Sequence, residues 1–305
     1  MASSISRGRI LVTGASTGIG HACAIRLAEL GYTVFAGVRK STDGEGFRTV
    51  KGVTPIRLDV TLAESIEDAL AAIGAEPLAG LVNNAGVAVV GPLELVPIEA
   101  WRRQFEVNVI GLVAVTKAFL PLLRARRGRI VNIGSIAGRS ALPCSGPYDA
   151  SKFAIEAITA SLRMELHAAG ISVSLIEPGA VATPIWQKSL AEAGDLRRQA
   201  APESAAIYAR LMAGMEQEAA ESVRKAIPAA EVARAVEHAL TARRPKTRYL
   251  VGKDVRLALL LNILPDRWRD WLVLKQLNAS SSIPSDTRAN DGPGGVTAPP
   301  AKADQ

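Results

Sequence analysis

Short apolar, β-branched runs at positions 9–13, 33–38, 54–58, 80–82, 129–133, 172–176 and 248–251 alternate with longer stretches in which apolar residues return every three or four positions. The first pattern fits strands buried on both faces and the second fits amphipathic helices, expected to begin near Gly18, Leu62, Ile98, Pro147 and Ala230. Their alternation predicts an α/β fold, a doubly wound parallel sheet with helices on both sides. In such sheets ligands bind outside the carboxyl ends of the strands, so chemistry is expected directly after each run.

Two regions break the alternation. Positions 186–228, rich in Ala, Glu and Arg, follow the sixth strand and read as a helical substrate lid. Beyond 252, Leu257, Leu260, Leu261, Leu264, Trp268, Trp271 and Leu272 form a helical stripe broken by Pro265. The expected division is a nucleotide-binding domain over 1–252 that includes the lid, amphipathic helices over 253–277, and a disordered tail over 278–305, where large apolar residues almost vanish. The stripe, with Arg256, Arg267, Arg269 and Lys275 around it, admits two readings: a cover over an apolar substrate, which is favoured, or weak peripheral contact of 255–277 with an anionic membrane.

With 305 residues, 48% of them hydrophobic, the chain can bury one large core, and a single domain is expected. The first apolar run, at 10–12, is too short for a signal or a span, and no other stretch approaches spanning length free of polar residues. Cys23 and Cys144 lack metal-ligand spacing and read as free thiols of a reducing cytoplasm. The net charge of +7 is scattered. Arg124, Arg126, Arg127 and Arg129 follow an apolar helical stretch and read as its solvated C-terminal cap, so no nucleic-acid partner is expected. His21, His167 and His238 have no partners at ligand spacing, and no metal site is expected.

After the first strand comes Thr13-Gly14-Ala15-Ser16-Thr17-Gly18-Ile19-Gly20 and then a helix. Strand, glycine turn and helix start together make a phosphate cradle, because the glycines let the backbone approach and the first helical N–H groups face the anion. Asn83-Asn84-Ala85-Gly86 ends the fourth run, and Ser135 follows the fifth. Tyr148 and Lys152 stand four apart, on one face of a helix.

In this order the motifs resemble those of the short-chain dehydrogenase/reductase family, over roughly 9–251. The resemblance implies a Rossmann-type fold and a catalytic tetrad of Asn108, Ser135, Tyr148 and Lys152, with Asn108 holding a water for the lysine. It also implies cofactor contacts by Gly14, Ser16, Thr17, Gly18, Ile19 and Gly20, by Arg39, by Asp59 and Val60 at the adenine, and by Asn84, Ala85 and Gly86. Tyr148 and Lys152 would contact the cofactor too, and Pro178, Gly179, Val181 and Thr183 would lie beside the nicotinamide. Pairing of the two helices holding Phe105 and Tyr148 across a dimer interface is implied as well, giving a homodimer or homotetramer.

A phenol with a pKa near ~10 is a poor base at neutral pH, so Lys152 is expected to lower that of Tyr148. Tyr148 would then exchange the proton of an alcohol while hydride passes to or from the nicotinamide, and Ser135 would steady the carbonyl oxygen. The competing readings are a nucleotide-binding sensor or scaffold without turnover, against which the intact tetrad speaks, and a lyase or dehalogenase, against which the complete glycine motif speaks. The small and apolar Ala141, Leu142, Pro143 and Cys144 favour a hydrophobic alcohol or ketone as substrate. Where an acid would bind the ribose 2′-hydroxyl of NAD stands Val38, followed by Arg39 and Lys40, so NADP is the expected cofactor with NAD as the alternative. A stacking role of Arg39 on the adenine, with Lys40 solvated, stays open.

Overall fold

Strand and helix alternate as the periodicity requires in the computed structural model, which describes residues 7–199, 201–252 and 255–280. The strands are β1 (Arg9–Val12), β2 (Thr33–Val38), β3 (Val53–Arg57), β4 (Leu78–Asn83), β5 (Arg129–Ile133), β6 (Ser172–Pro178) and β7 (Arg248–Val251). Among the described residues they form one parallel sheet in the order β3-β2-β1-β4-β5-β6-β7. The order reverses between β1 and β4, which opens a crevice at their carboxyl ends.

The helices are α1 (Gly18–Glu29), α2 (Ala63–Ile73), α3 (Ile98–Phe105), α4 (Gly111–Arg124), α5 (Gly146–Glu165), α6 (Ile185–Gln199), α7 (Pro202–Lys225), α8 (Ala229–Thr241), α9 (Val255–Leu261) and α10 (Asp266–Ser280). Period-two alternation splits each strand between two cores. Ile10 and Val12 pack with Leu27 of α1 and Val232 and Val236 of α8, while Leu11 packs with Ile66 of α2 and Val115, Phe119 and Leu123 of α4 on the opposite face. Each such side chain, fully removed from water, contributes roughly 1.5–3 kcal/mol.

Four local expectations need correction. A π-helical turn at Glu106–Ile110 joins α3 to α4 into one helix, Ile98–Arg124, which is long and apolar enough by length and composition to cross a membrane. Val115, Phe119 and Leu123 have no exposed surface, so this is a core helix whose apolar side is spent on the sheet. The arginines after α4 are not simply a solvated cap: Arg126 donates to Arg7 O at 2.9 Å and Arg129 to Ala239 O at 2.9 Å. The lid is helical only to Lys225, and Ile227 then forms a parallel bridge with Val181. At the other end α10 continues to Ser280, past the expected start of the tail, and 281–305 lie outside the described residues.

Candidate active site

At the crevice, β1 runs into the glycine turn and α1. Gly18 has φ +59°, a backbone state that side chains rarely adopt, and a Cβ there would sit 2.9 Å from Thr183 Cγ2. Gly20 admits no Cβ at all, because one would fall 2.4 Å from both Asn84 Nδ2 and Gly14 O. Thr17 gives α1 no side-chain cap, so the helix's first N–H groups stay open to an anion. The turn thus fits a dinucleotide pyrophosphate, with Thr183 from the segment after β6 closing it from above.

Thr13 and Asn84 hold this cradle. Thr13 Oγ1 accepts from the amides of Asn84 and Ala85, both at 2.9 Å, and Asn84 Nδ2 donates to the carbonyls of Thr13 and Gly14 at 2.9 Å each. The Asn84 side-chain N–H groups are thus committed to the protein's own backbone, where they position the turn. Asp59, directly after β3, accepts at Oδ1 from both the amide and hydroxyl of Thr61, which leaves Val60 buried next to it. Arg39 and Lys40 follow β2 exposed to solvent at the rim. Val181 is 4% exposed; its side chain is in the core, and the ladder to Ile227 uses the flanking Ala180 O and Ala182 N, leaving Val181's own backbone N–H off the ladder.

β5 delivers Ser135 and α5 delivers Tyr148 and Lys152, all three buried. Ser135 stands beside the Tyr148 phenol, and its Oγ accepts from Ala137 N at 3.1 Å, which fixes it in place. Burial pushes Tyr148 up to about 12, outweighing the lowering by Ser135, and Asp149 adds to the rise. Lys152 is pushed down to about 8, also by burial. Its Nζ donates to Ile133 O at 3.0 Å and lies 5.6 Å from the Tyr148 ring centroid. The expected lowering of the phenol by Lys152 is absent from this ligand-free geometry, because desolvation dominates and the ammonium is turned to a carbonyl.

Asn108 sits in the π turn, a backbone irregularity frequent at functional sites. Its Nδ2 donates to Val87 O and Ser151 Oγ, both at 3.0 Å, and its Oδ1 accepts from Val87 N at 2.9 Å. Both amide hydrogens are used, so Asn108 can serve a water for Lys152 only as an acceptor, through its backbone carbonyl or the second lone pair of Oδ1. Gln104, one turn earlier, makes a parallel set of bonds to Val87 O, Val89 N and Ser151. Together they clasp the irregular segment following Gly86 to α5.

Sequence reasoning missed several of these parts. Asn83 and Asn132, paired in register on β4 and β5, bond each other at 2.9 Å and reach Thr116 of α4 and Thr159 of α5, a buried polar seam beneath the site. Two asparagines at the ends of otherwise apolar strands were the available signal. Trp186, at the start of the lid, packs edge-on to Tyr148 with centroids 5.7 Å apart, forming an apolar wall over the phenol. Asp149, 2% exposed, accepts from Leu142 N at 2.8 Å and Ser145 Oγ at 2.9 Å, which pins the 139–145 loop; burial raises it to about 7. In that loop Cys144 has φ +57°, and burial lifts its thiol to about 11, which disfavours a thiolate nucleophile.

Behind α5 lies a buried ion cluster. Glu177, just before Pro178 and wholly buried, lies 2.5 Å from Arg248, which also meets Glu156 at 2.7 Å. Desolvation raises Glu177 to about 7 despite Arg248. Glu156 stands one turn after Lys152, so the cluster joins the catalytic helix to the end of β6.

Comparison with known proteins agrees with this architecture. The family profile described as short chain dehydrogenase matches residues 9–194. A 3-amino-tetrahydro-pyrrolizinone reductase of Xenorhabdus hominickii is 39% identical over 83% of this chain and 89% of its own. An NADPH-dependent 3-dehydrocapnine reductase of Ornithobacterium rhinotracheale is 36% identical over 88% and 96%. A solved short chain dehydrogenase from Burkholderia cenocepacia in complex with NADP superposes with a TM-score of 0.66 at 27% identity, covering 90% of this chain and 99% of that one.

Proposed function

From the chain's membership of the short-chain dehydrogenase/reductase family, an oxidoreductase family, we propose that it interconverts a hydrophobic secondary alcohol and its ketone, or an alcohol and aldehyde, preferring NADP(H). The observation that carries this is the placement of buried Ser135, Tyr148 and Lys152 together, the last two one turn apart on α5, beside a glycine cradle built for a pyrophosphate.

The bound nicotinamide supplies hydride exchange. Everything else falls to the chain. Ser135 holds the substrate oxygen against the Tyr148 hydroxyl, and Tyr148 gives or takes the proton at that oxygen. Lys152, free to leave Ile133 O for the phenol side, would offset part of the burial that holds the phenol near 12. Trp186, Leu142 and Cys144 make the cleft's walls apolar, which suits a substrate with little polar surface. An intact, buried tetrad argues against a scaffold without turnover.

Arg39 supports the NADP preference, as do the NADPH-dependent relative and the NADP-bound neighbour. Arg39→Ala should cut kcat/KM for NADPH roughly tenfold or more, as loss of a charge-assisted contact implies, and leave NADH use nearly unchanged. Steady-state kinetics with both cofactors checks this; a wild-type enzyme that prefers NADH, or a variant that keeps its preference, contradicts it.

Exposed Ile110, Phe153 and Met164 on the α4 and α5 side leave apolar surface that pairing of these helices would cover, and we extend the proposal to a homodimer or homotetramer. Light scattering at micromolar concentration should give a multiple of the chain mass of 32.1 kDa, and a monomer would overturn it.

A further inference from the structure

The C-terminal helices carry a second surface that the chemistry does not use. α10 packs on the lid helix α7, with Leu277 4% exposed against Gly214 and Gln276 donating to Glu218 at 3.1 Å. Its opposite side, by helical spacing, presents Trp268, Trp271 and Lys275, with Leu274 beside them. The turn before α10 adds Leu260, Ile263 at 77% exposed, and Leu264. Two tryptophans and four aliphatic side chains left in water on one edge are more than scattered exposure explains.

The charges on this edge are arranged to favour an anionic partner. Asp266 and Asp270, the acids of α10, are both tied to Arg269, at 3.1 and 3.2 Å. Arg267 and Lys275 stay exposed beside the tryptophans, with Lys275 Nζ 4.8 Å over the Trp271 ring. A tryptophan-and-leucine face bordered by cations that meet no carboxylate among the described residues, with its back packed on the protein, is the arrangement of a helix that lies in a bilayer interface. Asn262 in the same turn donates to Arg139 O at 2.7 Å, so the edge is fastened to the loop that follows Ser135.

We infer that this edge seats the protein on an anionic phospholipid surface, with Trp268, Trp271, Ile263 and Leu264 entering the headgroup boundary and Arg267 and Lys275 meeting the phosphates. α10 then lies between the lipid and the lid helix α7, and an apolar substrate would pass from the bilayer around this edge to the Tyr148 cleft; that last clause rests on the proposed function, while binding to the surface does not.

The test is co-sedimentation of the full chain with vesicles of phosphatidylcholine alone and of phosphatidylcholine with phosphatidylglycerol, at low and high salt, read without any substrate. Wild type should pellet with the anionic vesicles, weaken at least tenfold in high salt, and show blue-shifted tryptophan emission quenched by brominated lipid. Trp268→Ser/Trp271→Ser and, separately, Arg267→Glu/Lys275→Glu should each weaken binding about tenfold or more, while Trp268→Phe/Trp271→Phe keeps it. Because all four residues are exposed, unchanged thermal unfolding separates loss of binding from misfolding. Failure to pellet with either vesicle, or pelleting that ignores both sets of substitutions, overturns the inference. So does a change in oligomer size in the Trp268→Ser/Trp271→Ser variant without vesicle binding, which would make the edge an interface between copies of this chain.

Discussion

Tyr148→Phe should lower kcat/KM for carbonyl reduction by roughly 10²- to 10⁴-fold, the usual range for a positioned general acid, while NADPH binding stays nearly unchanged. The ring remains and keeps its edge contact with Trp186, so the cleft keeps its shape. Only the hydroxyl beside Ser135 is lost, and with it the proton the alkoxide needs. In the wild type the phenol, held near 12 by burial, is a ready donor for reduction at neutral pH but must be ionised for oxidation. Alcohol oxidation is therefore expected to rise with pH, with reduction flat and then falling as the phenol ionises. Retention of activity within a few-fold in Tyr148→Phe would remove the tyrosine from the mechanism.

Arg248→Met is expected to destabilise the fold by about 3 kcal/mol near pH 8, because it leaves the carboxylates of Glu156 and Glu177 buried together with Arg139, 4.0 Å from Glu177, as the remaining cation among the described residues. Arg248 is itself partly exposed, which keeps the figure at the low end of the buried-pair range. Glu177 sits near 7 in the folded protein against an ordinary 4.5. Its folded value is raised, so the native state holds that proton more tightly, and the stability this gives is complete below about 4.5 and lost as pH rises through about 7. Removing Arg248 raises Glu177 further, so the cost should deepen as pH rises through neutral. Urea unfolding at several pH values checks this, with Arg248→Met/Glu177→Gln recovering a good part of the loss. A cost that is absent, or equal at acid and alkaline pH, would show that the cluster does not carry charge as described.

The parallel sheet was legible because strands buried on both faces carry no polar alternation: 33–38 and 129–133 were bounded to the residue, as was the half-exposed edge strand 248–251. Tyr148 and Lys152 were legible as neighbours because a helix keeps residues four apart on one face whatever surrounds them, while Asn108 and Ser135 joined them only through the family resemblance. Desolvation was not. The sequence places an ammonium near a phenol, yet which carbonyl the ammonium faces, and how far burial lifts the phenol, depend on β5 and Trp186 arriving from elsewhere in the chain. For the same reason the hold of Asn84 on the Gly14 turn, and the bonds made by Thr13, Gln104 and the Asn83–Asn132 seam, could not be read from the sequence. The stripe of the C-terminal helices was visible, but only packing shows that α10 spends Leu277 on α7 and leaves Trp268 and Trp271 outside; the side chain of Leu257 lies outside the described residues.

The central claim is hydride transfer with Tyr148 as the proton partner, and it is tested most directly by isotope transfer. Wild type and Tyr148→Phe are incubated with NADPH deuterated at its transferable position and a panel of apolar ketones and aldehydes, and the products are read by mass spectrometry. The account predicts that at least one carbonyl of the panel returns as an alcohol carrying the deuterium on its former carbonyl carbon, and that Tyr148→Phe, still binding NADPH, makes almost none. Wild type that binds NADPH and moves deuterium to no carbonyl, or Tyr148→Phe that moves it at the wild-type rate, would contradict it.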